Sequence, residues 1–244
     1  MTVVGWRGVG IELDGPADLV DPVLGELPPF YAAEPKAAAR VRLVRDGGLV
    51  RLDFEDAPPI HIADGPDAAR AAASRIEVVV VDLLPDLVAV HAGVVADDRG
   101  AILLPGPSMA GKSTLTKALL DRGLTYLSDE FALIDEAGDV HAYPRAMTMR
   151  GPDGSARHMP ANAVAADDPP VRPRLVAVLR HDPAGWHVER PAPAQLTMVL
   201  IENCVSVRRD PGRALTALTA LAERAAGVAG TRGDAVDSVP LLLA

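Results

Sequence analysis

The chain is poor in three things: it has one cysteine, three lysines, and only three Phe, three Tyr and two Trp in 244 residues. A lone Cys204 excludes an intrachain disulfide and a cysteine-built zinc site, and fits a reducing compartment. With so few aromatics, the core has to be assembled from Ala, Val and Leu. No basic run is interleaved with aromatics, and a formal charge of −9 with a pI near 5.1 argues against a nucleic-acid partner. Met1 to Leu13 has no basic segment followed by an apolar core, and no apolar run approaches the length of a membrane span. The expectation is a soluble, cytoplasmic protein with no membrane partner. The length allows one large domain, or a small one beside a larger.

Among 24 basic residues, the scarcity of lysine gives weight to where it is kept. Lys112 lies in Gly106-Pro107-Ser108-Met109-Ala110-Gly111-Lys112-Ser113-Thr114, which fits G-x-x-x-x-G-K-[ST] at every defining position. In such a loop successive backbone N–H groups curl around nucleotide phosphates, and the following helix points its positive end at the same charge. Lys112 then reaches the outer phosphates, and Ser113 offers its hydroxyl to Mg²⁺. A chance match in a glycine-rich loop is the bland alternative. Against it stands the required context: Ala101 to Leu104 is an apolar run ending at Pro105, and Ser113 to Arg122 carries Leu115, Leu119 and Leu120 at helical spacing before Gly123.

Upstream, residues 1–64 read as a small β-rich region. Val50, Leu52 and Phe54 alternate with charged residues, and Asp46-Gly47-Gly48 turns back to a strand at Val41 to Val44. Asp64-Gly65-Pro66 then opens a larger domain over 65–244 with a helix-start signal. Ala69, Ala72, Ala73, Ile76, Val79, Val80 and Leu83 share a helical face, although Val78 to Val81 suits a strand equally. Leu87 to Ala96 and Ala101 to Pro105 form a hairpin through Asp97-Asp98-Arg99-Gly100. Pairing Ala96 with Ala101 sets His91 opposite Gly106, where a histidine either packs structurally or serves the phosphates.

The strand Leu124 to Ser128 ends in Asp129-Glu130. One carboxylate there can hold Mg²⁺, directly or through water, while the other accepts a proton from an attacking hydroxyl; a solvated acidic turn is the plainer alternative. One helix and one strand separate Lys112 from Asp129, so the two should converge. Phe131 to Ile134 and Val140 to Tyr143 read as another hairpin. Arg145 and Arg150 come next, each able to reach phosphate or an acidic substrate, or simply to sit on the surface. Residues 151–173 hold five prolines and read as a long mobile loop. Leu175 to Arg180 and Trp186 to Arg190 suggest a last hairpin, with helices over about 193–226, at Pro193 to Asn203 and Gly212 to Arg224. Leu215, Leu218 and Leu221 form the apolar stripe of the second helix. The tail ending in Leu241 to Leu243 is apolar enough to pack on the sheet or a neighbour.

No Asn-Lys-x-Asp guanine reader and no Leu-Ser-Gly-Gly-Gln transporter signature occurs. His91-Ala-Gly, Gly100 to Leu104, Gly106 to Thr114, Gly123 and Leu127-Ser-Asp-Glu130 together resemble the HPr kinase/phosphorylase family, closest to its short relatives in lasso-peptide and other modified-peptide clusters. The resemblance covers residues 87–150. It implies an α/β fold with a P-loop kinase core of the HPr kinase/phosphoenolpyruvate carboxykinase type, a mixed sheet flanked by helices. It further implies phosphoryl transfer from ATP to a serine hydroxyl of a peptide or protein, with Asp129 as base, Ser113 and Glu130 near Mg²⁺, Lys112 on the phosphates and His91 before the loop. The family's oligomers make a homo-oligomer a possibility. Met109 stands where glycine is common, and the pair is Asp-Glu where HPr kinases have Asp-Asp. GTP in place of ATP, a nucleotide-binding regulatory module, and a kinase for a small-molecule hydroxyl stay open at this point.

Overall fold

The computed structural model describes residues 2–107, 110–150, 156–159 and 164–244, and at 148, 150 and 156–159 the backbone alone. The chain divides into two compact units, Met1–Pro85 and Asp86–Ala244. That division falls one helix later than the 64/65 boundary expected from sequence.

In the first unit β1 (Thr2–Trp6), β2 (Val9–Asp14), α1 (Ala17–Glu26), β3 (Ala32–Ala33), β4 (Ala37–Asp46), β5 (Leu49–Phe54), β6 (Ile60–Ala63) and α2 (Ala68–Leu83) succeed one another. Its sheet runs β3-β1-β2-β4-β5-β6. The expected β4–β5 hairpin forms with Asp46 opposite Leu49, and Gly47 and Gly48 both take positive φ in the turn. Val41, Leu43, Val50 and Leu52 are buried, as alternation requires. The ambiguous run at Val78 to Val81 is helical: α2 buries Ala72, Ala73, Ile76, Val80 and Val81, and its face packs against α1 and β2. Helix α1 was not legible as a helix, because Pro22 interrupts its pattern.

The second unit contains β7 (Val88–Asp97), β8 (Gly100–Pro105), α3 (Lys112–Leu120), β9 (Thr125–Ser128), β10 (Phe131–Ile134), β11 (Val140–His141), β12 (Met147–Arg150), β13 (Ala156–Met159), β14 (Pro173–His181), β15 (His187–Glu189), α4 (Pro193–Glu202), α5 (Pro211–Arg224), β16 (Ala226–Arg232) and α6 (Ala235–Leu243). Its mixed sheet runs β11-β10-β7-β8-β14-β16-β15, with β9 also on β7. Side chains alternate across it. Val88, Val90, Ala92 and Val94 pack with Leu196 and Leu200 of α4 and Leu218 and Leu221 of α5, whereas Val95, Ile102 and Leu104 pack with Leu115 and Leu119 of α3 and Val239 and Leu242 of α6. The protein is thus mixed α/β, with two mixed sheets flanked by helices.

Three expectations change here. Leu175 to Arg180 and Trp186 to Arg190 are not a hairpin: β16 lies between them, parallel to β14 and antiparallel to β15. Its small residues allow this, since a Cβ at Gly230 would lie 2.2 Å from the His187 carbonyl oxygen. The expected loop over 151–173 contains β13, which pairs with β12 from Met147↔Met159 to Arg150↔Ala156; residues 151–155 and 160–163 lie outside the described residues. Leu215 points outward at 52% exposure, and the buried stripe of α5 is Ala214, Ala217, Leu218 and Leu221. The apolar tail forms α6 and packs under the sheet.

Candidate functional site

Strand β8 is buried along its length and delivers the chain to Gly106. Two glycines shape the loop beyond it, Gly106 at φ 154° and Gly111 at φ 84°, backbone conformations that residues with a Cβ rarely adopt. Ser108 and Met109 lie outside the described residues. Ala110 donates to the Pro107 carbonyl at 3.3 Å, and α3 begins at Lys112 with Gly111 as its N-cap. No N-cap side chain occupies the first turn, which also carries Ser113 and Thr114.

Lys112 folds back over the loop. Its Nζ donates to the carbonyls of Gly106 at 2.6 Å and Pro107 at 3.0 Å. Burial pushes its pKa below the usual lysine value, and the charges of Glu130 and Asp129 work against that shift.

The pair owes its position to β7. That strand has β8 on one side and two collinear strands on the other: β9 opposite Val94 to Ala96, β10 opposite Val88 to His91. Asp129 and Glu130 occupy the break between them. Ser128 Oγ shapes the break by accepting the Glu130 N–H at 3.2 Å and the Phe131 N–H at 3.0 Å. The Ala92 N–H donates to the Glu130 carbonyl at 3.2 Å, and Ala92 is also the partner of Pro105, the residue before the loop. One residue of β7 thereby links the carboxylates to the loop's entrance.

The β7–β8 register is the one expected, with Ala96 opposite Ala101, and its last pair is Ala92–Pro105. His91 turns to the carboxylates. Its Nδ1–H donates to the Glu130 carbonyl at 3.0 Å, Nε2 lies 3.5 Å from Glu130 Oε1, and the ring stacks on Phe131 at 5.4 Å. Phe131 in turn meets Tyr143 edge-on, also at 5.4 Å.

Asp129 is 7% exposed, and Tyr126 donates its hydroxyl proton to Asp129 Oδ1 at 2.9 Å. The same hydroxyl lies 3.0 Å from the Arg145 carbonyl. Burial, followed by the Asp129 charge, pushes the Tyr126 pKa well above its ordinary value, while the nearby Arg145 charge pulls it down. Arg145 is thus brought to the site. Arg150 is placed on β12, which approaches α3, with its side chain outside the described residues.

Two residues were missed by sequence reasoning. Tyr126 left one weak signal, a tyrosine three positions before an acidic pair. Arg232, buried at the end of β16 with Nη2 3.2 Å from the Gly111 carbonyl, left none beyond being a basic residue closing a Gly-Ala stretch.

No protein-family model matches the chain, and no curated protein and no solved structure matches it. No helix of the described residues is long and apolar enough to cross a membrane. Among the described residues no group of three or more His, Cys, Asp or Glu is arranged to hold a metal ion. Two carboxylates and a serine hydroxyl are nonetheless hard oxygen donors that suit Mg²⁺, which characteristically takes one or two carboxylates and completes its shell with phosphate oxygens and water.

Proposed function

We propose that this chain is an HPr kinase-like phosphotransferase with a P-loop kinase core, moving the γ-phosphoryl group of ATP to a serine hydroxyl of a peptide or protein. A cytoplasmic enzyme that tailors a lasso-type precursor peptide fits that chemistry. The carrying observation is the buried Asp129, held by Tyr126, in the field of Lys112 at the head of a glycine-shaped loop.

The substrate serine Oγ attacks the γ-phosphorus, its proton passes to Asp129, and the bond from that phosphorus to the bridging oxygen of ADP breaks. Lys112 leaves the Gly106 and Pro107 carbonyls for the phosphates, and with the N–H groups of the loop and of the first turn of α3, at Gly111, Ser113 and Thr114, stabilises charge on the group in transit. Ser113 and Glu130 are the side chains that would hold Mg²⁺, which when bound neutralises the β- and γ-phosphate oxygens. His91 fixes Glu130 through backbone and side chain, and Arg145 adds positive charge beside Asp129.

The test is phosphate transfer from MgATP, and in parallel MgGTP, to peptides ending in serine, with free sugars and amino acids alongside. Transfer to a peptide is expected. Asp129→Asn should lower turnover by about 10²- to 10⁴-fold while nucleotide binding stays as in the native protein. Full turnover in that variant would remove the base assignment. Nucleotide binding with no transfer to any acceptor would instead make the chain a nucleotide-dependent regulatory module.

A further inference from the structure

Arg232 ends β16, is 2% exposed, and holds its guanidinium against the last glycine of the loop. Its Nη2 donates to the Gly111 carbonyl at 3.2 Å and its Nη1 to the Gly233 carbonyl at 2.8 Å. Its Nε is buried with no hydrogen-bond partner among the described residues. The approach is close enough that a Cβ on Gly111 would lie 2.6 Å from Nη2, so a side chain there would displace the guanidinium, while the positive φ itself favours glycine.

A buried guanidinium is normally matched by a carboxylate. Here its partners are two carbonyl oxygens, and Asp234, the acid whose charge it feels, is turned to His181 with Oδ1 3.5 Å from Nε2. Burial accordingly pulls its pKa below the usual guanidinium value. The arrangement leaves a desolvated positive charge against the Gly111 carbonyl, at the N-terminus of α3.

We propose that Arg232 is a positioning residue that fixes Gly111 and supplies a buried counter-charge to a polyphosphate seated on the loop. This rests on the phosphate-loop reading of Gly106 to Thr114. Among the described residues no carboxylate is hydrogen-bonded to the guanidinium; the anion that complements it arrives with the ligand, and Arg232 acts on it through Gly111 without touching it. A buried charge so weakly compensated also predicts an unusual sign: its removal should leave the free protein as stable as before or more so.

The experiment compares native protein, Arg232→Met, Arg232→Lys and Lys112→Ala by thermal unfolding with and without sodium tripolyphosphate, and by MgATP titration. Arg232→Met should unfold at or above the native temperature when free, yet bind tripolyphosphate and MgATP at least ten-fold more weakly. Arg232→Lys should recover part of the affinity. Arg232→Gln, which keeps donors without charge, replaces the methionine variant if that one does not fold. A less stable free Arg232→Met with undiminished affinity would make Arg232 a structural strut and overturn the proposal. If the native protein gains nothing from either ligand, the phosphate-loop reading itself fails, and this proposal with it; loss of binding in Lys112→Ala alone keeps the reading and rejects the role of Arg232.

Discussion

The hydroxyl of Tyr126 donates to Oδ1 of Asp129 across 2.9 Å in a buried setting, with the Arg145 carbonyl 3.0 Å from the same oxygen. A phenol has one proton, so the carboxylate and the carbonyl compete for it, and an ionised Asp129 is the stronger acceptor. The bond fixes the carboxylate's orientation and ties the end of β9 to the segment that leads into β12. Asp129 is thereby held in one orientation, as the base role proposed for it requires.

Tyr126→Phe removes that hold and little else. A hydrogen bond to a charged group contributes about 1.5–3 kcal/mol, so turnover should fall by about ten-fold or more. Nucleotide affinity should not move, because Tyr126 touches Asp129 and not the loop. Steady-state rates beside a nucleotide titration measure both, and an unchanged turnover would show that Asp129 needs no such support.

The same phenol gives the free protein a pH signature. Its folded pKa lies above the ordinary 10.0, chiefly through burial and then through the Asp129 charge. The unfolded chain loses this proton first as pH rises, so the contribution to stability is complete below about pH 10 and is lost on going above it. Denaturant unfolding at pH 8 and pH 11 should show native protein losing more stability than Tyr126→Phe over that interval. Equal losses would mean that Tyr126 does not stay protonated in the fold.

Lys112→Met tests the other end of the site. The lysine's partners in the free protein are the carbonyls of Gly106 and Pro107, which the variant leaves to water. Loss of one member of a charge pair with bound phosphate costs about 2 kcal/mol or more, on the order of thirty-fold in affinity. Titration with MgATP and circular dichroism of the free variant check the expected outcome, weak binding on an intact fold. Native affinity in this variant would sink the assignment of Lys112 to the phosphates.

What could be read from the chain, and what could not, divides by range. The Ala96–Ala101 register was legible because a short turn and two apolar runs are local signals, and the loop was legible because its glycines serve a backbone shape that few other residues can adopt. The insertion of β16 between β14 and β15 was not, since parallel pairing joins segments that are distant in sequence and leaves no turn to mark it. Asp129 and Glu130 were found as acids after a strand. Their actual setting, a break between two strands collinear along β7, depends on register and could not have been written down from composition. Arg232 was invisible for the same reason, its partner Gly111 being reached only through the assembled sheet.

The seat of α3 on the sheet gives a last test, one that concerns stability alone. A Cβ at Gly93 of β7 would lie 2.5 Å from Oγ1 of Thr116, which is fully buried and has no hydrogen-bond partner among the described residues. Gly93→Ala should therefore cost about 1–3 kcal/mol through overpacking. Thr116→Val keeps the shape, discards an unsatisfied hydroxyl, and should raise stability by about 1 kcal/mol. If the clash is the source of the Gly93→Ala cost, Thr116→Ala opens the space, and the cost should shrink in that background. Chemical denaturation of the native protein, the two single alanine variants and the double variant closes the cycle, and an identical Gly93→Ala cost with and without the threonine would assign it to the strand instead.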